Sequence, residues 1–370
     1  MYCAALLRTT NMGDGPHSDP YPLSMAVKNL RINPAELAIG VDIGGTKVAA
    51  GIVENLGRIL YQTRSPMVVD GDGATGFAAV LVAIESVMDE LMAIAELPSK
   101  IRGIGICSPG PLDPKTGIVI NPPNLPCWRN FPLASEVAKT YHLPVKVDND
   151  ANAAALAEAY WGAGRAYSNI FYATIGTGIG TGIVFDRHIY HGRTGAAGEG
   201  GHLSIDYRGP RCGCGKPGCI EVLAAGPAIA RRARAKLREQ YGSQSKLLDL
   251  AAGDLEVVSS EMVGQAYAAG DSLAKEVLDE TVDLLSLWLG NAIDLLDPEV
   301  LILGGGVSSM LGPFFDDIRN RIPRYCVNPR CREVPLLKAH YGADSGVAGG
   351  AALCSEVSQQ PEPGSQGDSG

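Results

Sequence analysis

From residue 37 onward the chain alternates short apolar runs, glycine turns and longer stretches with helical spacing. LAIGVDI is followed by a Gly-Gly turn, the run KVAAGIV, a second turn and a further short run, all within 37–60. That order predicts a strand hairpin extended by a third strand. Residues 169–190, NIFYATIGTGIGTGIVFDRHIY, repeat the plan of strand, glycine-rich turn, strand, short turn and strand. Helical sequence and another apolar strand follow in each half. These are 74–96 and then RGIGICSP in the first, and 226–240, 259–296 and then VLILGGG in the second. Segment 145–164 runs from a strand into an alanine-rich helix. Two copies of a hairpin-plus-βαβ unit predict an α/β protein, with a cleft between two lobes and a glycine turn from each copy facing it. Residues 1–36 and the tail from about 355 are polar, proline-bearing and aperiodic, so both are expected to be disordered. Met12 and Met25 are alternative starts to Met1.

Composition narrows the class. At 370 residues the chain is long enough for two domains with real cores. Hydrophobic residues at 46% and charged residues at 19% are ordinary for a globular protein in water. A formal charge of -9 argues against an electrostatic role on nucleic acid or an anionic membrane. The best apolar stretch, LLSLWLGNAIDLL at 284–296, is too short to span a bilayer and carries Asn291 and Asp294, so it predicts a buried helix. Nine cysteines raise the question of disulfides, but Cys3, Cys107, Cys127, Cys326, Cys331 and Cys354 are scattered through a chain too large to need staples. The start MYCAALLRTT lacks a basic segment followed by a full apolar core and a small-residue cleavage site. A reducing cytoplasm is therefore expected.

The other three cysteines form the strongest chemical signal. His202, Cys212, Cys214 and Cys219 make the pattern H-x9-C-x-C-x4-C, with Glu199 and Glu221 on either side. Imidazole and thiolates suit zinc, and four such ligands close a structural site that leaves no open position for catalysis. The intervening glycines let the backbone turn sharply enough to aim several sulfurs at one point. The glutamates suggest that the stapled loop holds something polar. His202 could give one ring nitrogen to the metal and donate from the other to a ligand oxygen.

Three glycine turns carry weaker signals. Asp42-Ile43-Gly44-Gly45-Thr46-Lys47 could converge N–H groups on an anion, with Asp42 holding water on Mg²⁺; it could equally be a plain hairpin with a capping Asp. Gly176-Thr177-Gly178 opens a run of alternating glycines, which fits close approach of a ligand. Gly304-Gly305-Gly306 follows an apolar strand, where α/β sheets place ligands, although a tight strand-to-helix turn needs the same residues. None matches the P-loop or dinucleotide-binding spacing. Asp148-Asn149-Asp150 sits at a strand end before a helix. One residue there caps the helix, while three exceed that need, so Asp150 is a candidate general base and Asn149 a substrate contact. The loop Pro122–Trp128 offers Asn124 near an indole, which fits either a polyol pocket or a loop pinned by one buried aromatic.

Taken together, DIGGTK, NDANAAALAE, IGTGIGTGIV, GAAGEGGH and CGCGKPGCIE make the chain resemble the ROK sugar kinases and repressors, in order from about 37 to 354. Within that family it is most similar to bacterial ATP-dependent glucokinases. The resemblance implies an actin/hexokinase-like (ribonuclease H-like) two-lobe fold. The small α/β lobe would span 37–147, completed by a last helix at 343–354, and the large lobe 148–342 would hold the zinc loop. It implies Asp150 as catalytic base, with Gly110, Asn124, Asn149, Glu199, His202 and Glu221 on the sugar. It implies His202, Cys212, Cys214 and Cys219 on structural zinc. Asp42, Gly44, Gly45, Thr46 and Lys47, then Gly176, Thr177 and Gly178, then Gly304, Gly305 and Gly306, would hold the phosphates and nucleotide of ATP with Mg²⁺. It also implies a dimer or tetramer. The expected reaction is phosphorylation of a hexose, glucose before N-acetylmannosamine, N-acetylglucosamine or fructose. The family's repressors carry a DNA-binding module ahead of this body. The 36 residues before the first strand are too few for one and are neither basic nor helically periodic, so no nucleic-acid partner is expected.

Overall fold

The computed structural model describes residues 37–94, 101–239 and 245–356. The expectations for 1–36 and for the tail beyond 356 lie outside the described residues. The first half contains β1 (Leu37–Ile43), β2 (Lys47–Glu54), β3 (Ile59–Pro66), α1 (Gly73–Ile94), β4 (Ile104–Ser108), a two-stranded ribbon of β5 (Leu112–Asp113) and β6 (Ile118–Val119), α2 (Leu133–Tyr141) and β7 (Val145–Asn149). Next come α3 (Asp150–Tyr160), β8 (Ile170–Ile175), β9 (Ile179–Phe185) and β10 (His188–Ile189). The helices α4 (Ile220–Ala224), α5 (Gly226–Glu239), α6 (Lys246–Leu250), α7 (Ser260–Ala268) and α8 (Ser272–Leu296) precede β11 (Val300–Gly304). The chain then forms α9 (Gly306–Met310), α10 (Phe315–Arg321), β12 (Leu336–Lys338) and α11 (Ser345–Glu356).

The sequence echo becomes a repeated topology. The first sheet has the order β3-β2-β1-β4-β7 and the second β10-β9-β8-β11-β12. Each begins with an antiparallel pair, Leu37↔Glu54 through Ile43↔Val48 in one and Ile170↔Val184 through Ile175↔Ile179 in the other. Each continues through parallel strands reached by crossovers, as βαβ connections require. The central strands β1, β4 and β11 are buried on both faces, which explains their unbroken apolar runs. Where one long helical stretch was expected over 259–296, the chain breaks: Gly270 adopts φ +82°, and Asp271 caps α8 by accepting from Ala274 N–H at 2.8 Å.

Two helices join the halves. Residues Ala151 to Ala159 of α3 are all buried, because α3 packs on α11 on one side and on β9 and β8 on the other. A helix enclosed all round needs small side chains, which accounts for its alanines. Helix α11 returns to the first sheet and lies across β1 and β4. Glycines make that crossing close enough for backbone contact. A Cβ on Gly40 would stand 1.8 Å from the Val347 carbonyl oxygen, and one on Gly105 would stand 1.7 Å from that of Gly350. Gly40→Ala is therefore expected to lower unfolding free energy by about 3 kcal/mol, since backbone on both sides must move. Urea unfolding checks this: the midpoint should fall at unchanged m-value.

Candidate functional site

The parallel strands of the first sheet bring their carboxyl ends into line. Asp42 on β1 pairs in register with Cys107 on β4, and Cys107 with Asp148 on β7. This is the edge at which α/β sheets bind ligands. The three polar residues at 148–150 divide their work. Asn149 is the cap: its Oδ1 accepts from Ala151 N–H at 2.9 Å and Asn152 N–H at 3.4 Å. Asp148 is buried, and both it and Asp150, in the first turn of α3, line a cleft. Capping alone thus does not account for Asp150.

Gly110, Asn149 and Asp150 form one side of that cleft, and 195–199, including Glu199, form the other. Asp150 is exposed to solvent at the cleft, although protein is dense around its carboxyl. Burial pushes its carboxyl above the usual carboxylate value of 3.8; the Ala151 N–H opposes this, and the charge of Glu199 adds to it. Asp42 behaves similarly. Burial and then the charge of Asp150 raise it to about 6, against weaker pulls from Lys47 and Arg64. Two carboxylates near enough that the charge of one raises the other are a fitting place for a divalent cation, whose charge would relieve both.

The zinc-type cluster closes as the sequence pattern predicts. Ligand atoms of His202, Cys212, Cys214 and Cys219 all lie within 4.8 Å of one another. Cys214 and Cys219 sulfurs are 3.6 Å apart, as are Cys212 Sγ and His202 Nδ1. Tetrahedral zinc with Zn–S near 2.3 Å sets ligands about 3.6–3.8 Å apart, so these residues fit the ion. Burial also pushes the Cys219 thiol up to about 12, a proton that a neighbouring cation would displace. Gly218, at φ +61°, shapes the knuckle: a Cβ there would stand 1.7 Å from the Asp206 carbonyl oxygen.

Glu221 connects this cluster to the second glycine turn. Its Oε2 accepts from Ile179 N–H at 3.0 Å, while Oε1 lies 3.9 Å from His202 Nδ1. A Cβ on Gly178 would stand 2.6 Å from Oε2, so that glycine makes room for the carboxylate. His202 and Glu221 are both partly exposed and lie outside the cleft lining formed by Asp150 and Glu199. His202 is nevertheless tied to Glu199, its N–H donating to the Glu199 carbonyl at 3.0 Å.

A second cavity, about 450 Å³, is lined by Gly176, Thr177, Gly226, Ser260, Glu261 and Gly306. Gly226 N–H donates to Gly176 C=O at 2.8 Å, so α5 begins against the turn. Gly304 and Gly305 do not line it. Gly305, at φ +89°, instead lets the chain pass Ile175, whose carbonyl oxygen would stand 2.3 Å from a Cβ. The first glycine turn is a tight hairpin closed by Gly44 N–H to Lys47 C=O at 2.9 Å, with Thr46 and Lys47 exposed. It lies outside the second cavity, and the charge of Asp42 reaches Asp150 instead. Asn124 is exposed beside that turn, its carbonyl oxygen 3.0 Å from a Cβ placed on Gly45, and does not line the cleft with Asp150. Trp128 is buried, donates to Gly73 C=O at 3.1 Å and stacks on Phe131, so the aromatic pins its loop.

Three supporting residues were not singled out from sequence. His191 Nε2 lies 2.5 Å from Asp148 Oδ2. Thr181 Oγ1 accepts from Gly200 N–H at 2.7 Å and donates to Gly198 C=O, fixing the segment that carries Glu199. Glu158, fully buried, accepts from the N–H groups of Ala163, His340 and Tyr341 at 2.8, 2.7 and 3.1 Å. A threonine within alternating glycines was a faint signal for Thr181. Nothing in local spacing marked His191 or Glu158.

Known proteins resemble this chain in sequence and fold. The model of the ROK family matches residues 38–357. A glucokinase of Thermotoga maritima is 35% identical across 86% of this chain and 97% of its own length. A xylose repressor of Caldicellulosiruptor bescii is 30% identical over 77% of this chain and 69% of its own. The crystal structure of a ROK family glucokinase from Streptomyces griseus, in complex with glucose and AMPPNP, superposes with a TM-score of 0.70 at 33% identity, covering 86% of this chain and 99% of that one.

Proposed function

The chain belongs to the ROK family, and on that premise we propose that it transfers the terminal phosphoryl group of ATP to glucose, giving glucose 6-phosphate. The observation that carries this reading is Asp150, a carboxyl with a raised proton affinity in a cleft that it lines together with Glu199. A sugar hydroxyl is a poor nucleophile. Asp150 accepts its proton as the oxygen attacks the γ-phosphorus in line, and the P–O bond to ADP breaks. The raised affinity for a proton suits that task better than an ordinary carboxylate.

We assign Gly110, Asn149 and Glu199, which line the cleft, to the sugar hydroxyls, with Asn124, His202 and Glu221 joining them from outside that lining. Asp42 with Gly44, Gly45, Thr46 and Lys47, and the turns Gly176–Thr177–Gly178 and Gly304–Gly305–Gly306, are assigned to the nucleotide and its phosphates. Gly176, Thr177 and Gly306, sharing the second cavity, support that placement. Asp42 is the residue to hold Mg²⁺, which when bound neutralises charge on the phosphate oxygens. Zinc on His202, Cys212, Cys214 and Cys219 is a scaffold: four protein ligands leave it no position for substrate. A small lobe of 37–147 with the last helix would close on a large lobe of 148–342, excluding water that competes as acceptor. We further expect a dimer or tetramer in the cytoplasm; no helix among the described residues is long and apolar enough to cross a membrane.

A coupled ADP-release assay across glucose, mannose, fructose, N-acetylglucosamine and N-acetylmannosamine tests the reading. Glucose should give the highest kcat/KM. A higher value for an N-acetylhexosamine or fructose would reassign the substrate, and no ADP release with any of them would end the kinase reading.

A further inference from the structure

Asp148 is a carboxylate that the mechanism leaves without work. It sits two residues before the base, is 3% exposed, and accepts three hydrogen bonds. Two come from its own corner of the chain, Asn149 N–H at 2.7 Å and Asn152 Nδ2–H at 3.0 Å. The third comes from elsewhere, His191 Nε2–H at 2.5 Å. His191 stands at the start of the segment that forms the opposite wall of the cleft, 195–199 with Glu199. Its own carbonyl accepts from Ala197 N–H at 3.1 Å, folding that wall back on itself. Thr181 holds the far end of the same segment through Gly198 and Gly200. The near end is thus tied to the other wall by the His191 side chain reaching a buried carboxylate.

We propose that His191 is a positioning residue for phosphoryl transfer, acting through Asp148 to hold the two walls of the sugar cleft in register. One wall carries Asn149 and Asp150, and the other carries Glu199. The physical reason is stiffness. A charge-assisted hydrogen bond to a carboxylate already held by two other donors leaves little freedom, and a buried carboxylate with one donor missing is costly enough to rearrange its corner. A shift of about 1 Å between a base and its substrate can cost on the order of 10²-fold in rate. His191 itself need touch neither sugar nor ATP.

This inference rests on the sugar-kinase reading, so wild-type turnover is measured first. His191→Ala and His191→Gln are then compared for kcat, KM for glucose, KM for ATP, glucose affinity by calorimetry without nucleotide, and Tm. Glutamine keeps an N–H donor near the place of Nε2. The alanine variant should lose about 10- to 100-fold in kcat. Its glucose affinity should weaken several-fold, with KM for ATP within about twofold of wild type. Glutamine should restore most of both. Wild-type kcat and glucose affinity in His191→Ala would overturn the role. So would a glutamine variant as impaired as alanine, or losses matched by an equal rise in KM for ATP and a collapse of Tm. An inactive wild type would instead sink the kinase reading and is seen before any variant is compared.

Discussion

Asp150→Ala is expected to lower kcat by about 10²–10⁴-fold, the range supplied by a positioned general base, while glucose affinity changes only a few-fold. The split follows from what each wall of the cleft does. On the proposed assignment, removing the carboxyl takes away the proton acceptor needed in the transition state, whereas the hydroxyl contacts assigned to Glu199 and Asn149 persist. Asn149 keeps the helix start capped when the Asp150 carboxyl, which also accepts from Ala151 N–H at 2.8 Å, is removed. Steady-state kinetics with calorimetric glucose binding check the split, and near-normal turnover would remove the base assignment. The pH profile gives an independent sign. The base works only when ionised, and its carboxyl is raised above 3.8. The wild-type kcat/KM should therefore hold at higher pH and fall on acidification through that raised value, earlier than an unperturbed aspartate would dictate.

Removal of the metal is expected to act on a different quantity. Stripping zinc, or Cys219→Ser, should weaken glucose binding by about 10- to 100-fold, the scale seen when the support of a metal-held group is lost. The knuckle at 212–219 has little apolar core of its own, and the ion is what would hold its three sulfurs to His202. Without it, His202 and Glu221 lose their shared anchor, and hydrogen exchange should quicken across 193–222. Turnover at saturating glucose should fall far less than affinity, since no step passes through the ion. A zinc-free protein with ordinary glucose affinity would contradict this.

The fold was legible because its signals are local and repeated. Two hairpins with glycine turns, each followed by helix and strand, announced two sheets of the same order, and H-x9-C-x-C-x4-C announced a cluster that the structure closes. Asp150 stood out because three polar residues at one strand end exceed the needs of a cap. What the sequence hid were pairings between distant segments. His191 meets Asp148 only because β10 runs beside β9, which packs on α3. Glu158 looks like one polar residue in an alanine helix until His340 and Tyr341 arrive from near the other end of the chain. The break at Gly270 was similarly masked by helical spacing on both sides. Glycines were the hardest to read: Gly176 and Gly306 face a cavity, Gly178 makes room for Glu221, and Gly40 and Gly105 admit a helix.

Helix α11 has a consequence for how the molecule is made. Its seat on β1 and β4 is formed by residues synthesised early, and the helix that fills it comes last among the described elements. While the chain is being extended, the first sheet must wait with an apolar face uncovered, and its cooperative closure depends on contacts that span about 300 residues, such as Gly40 with Val347. A chain interrupted before residue 345 would display that face permanently. Such fragments should be substrates for chaperones and proteases, and should not accumulate as half-sized domains.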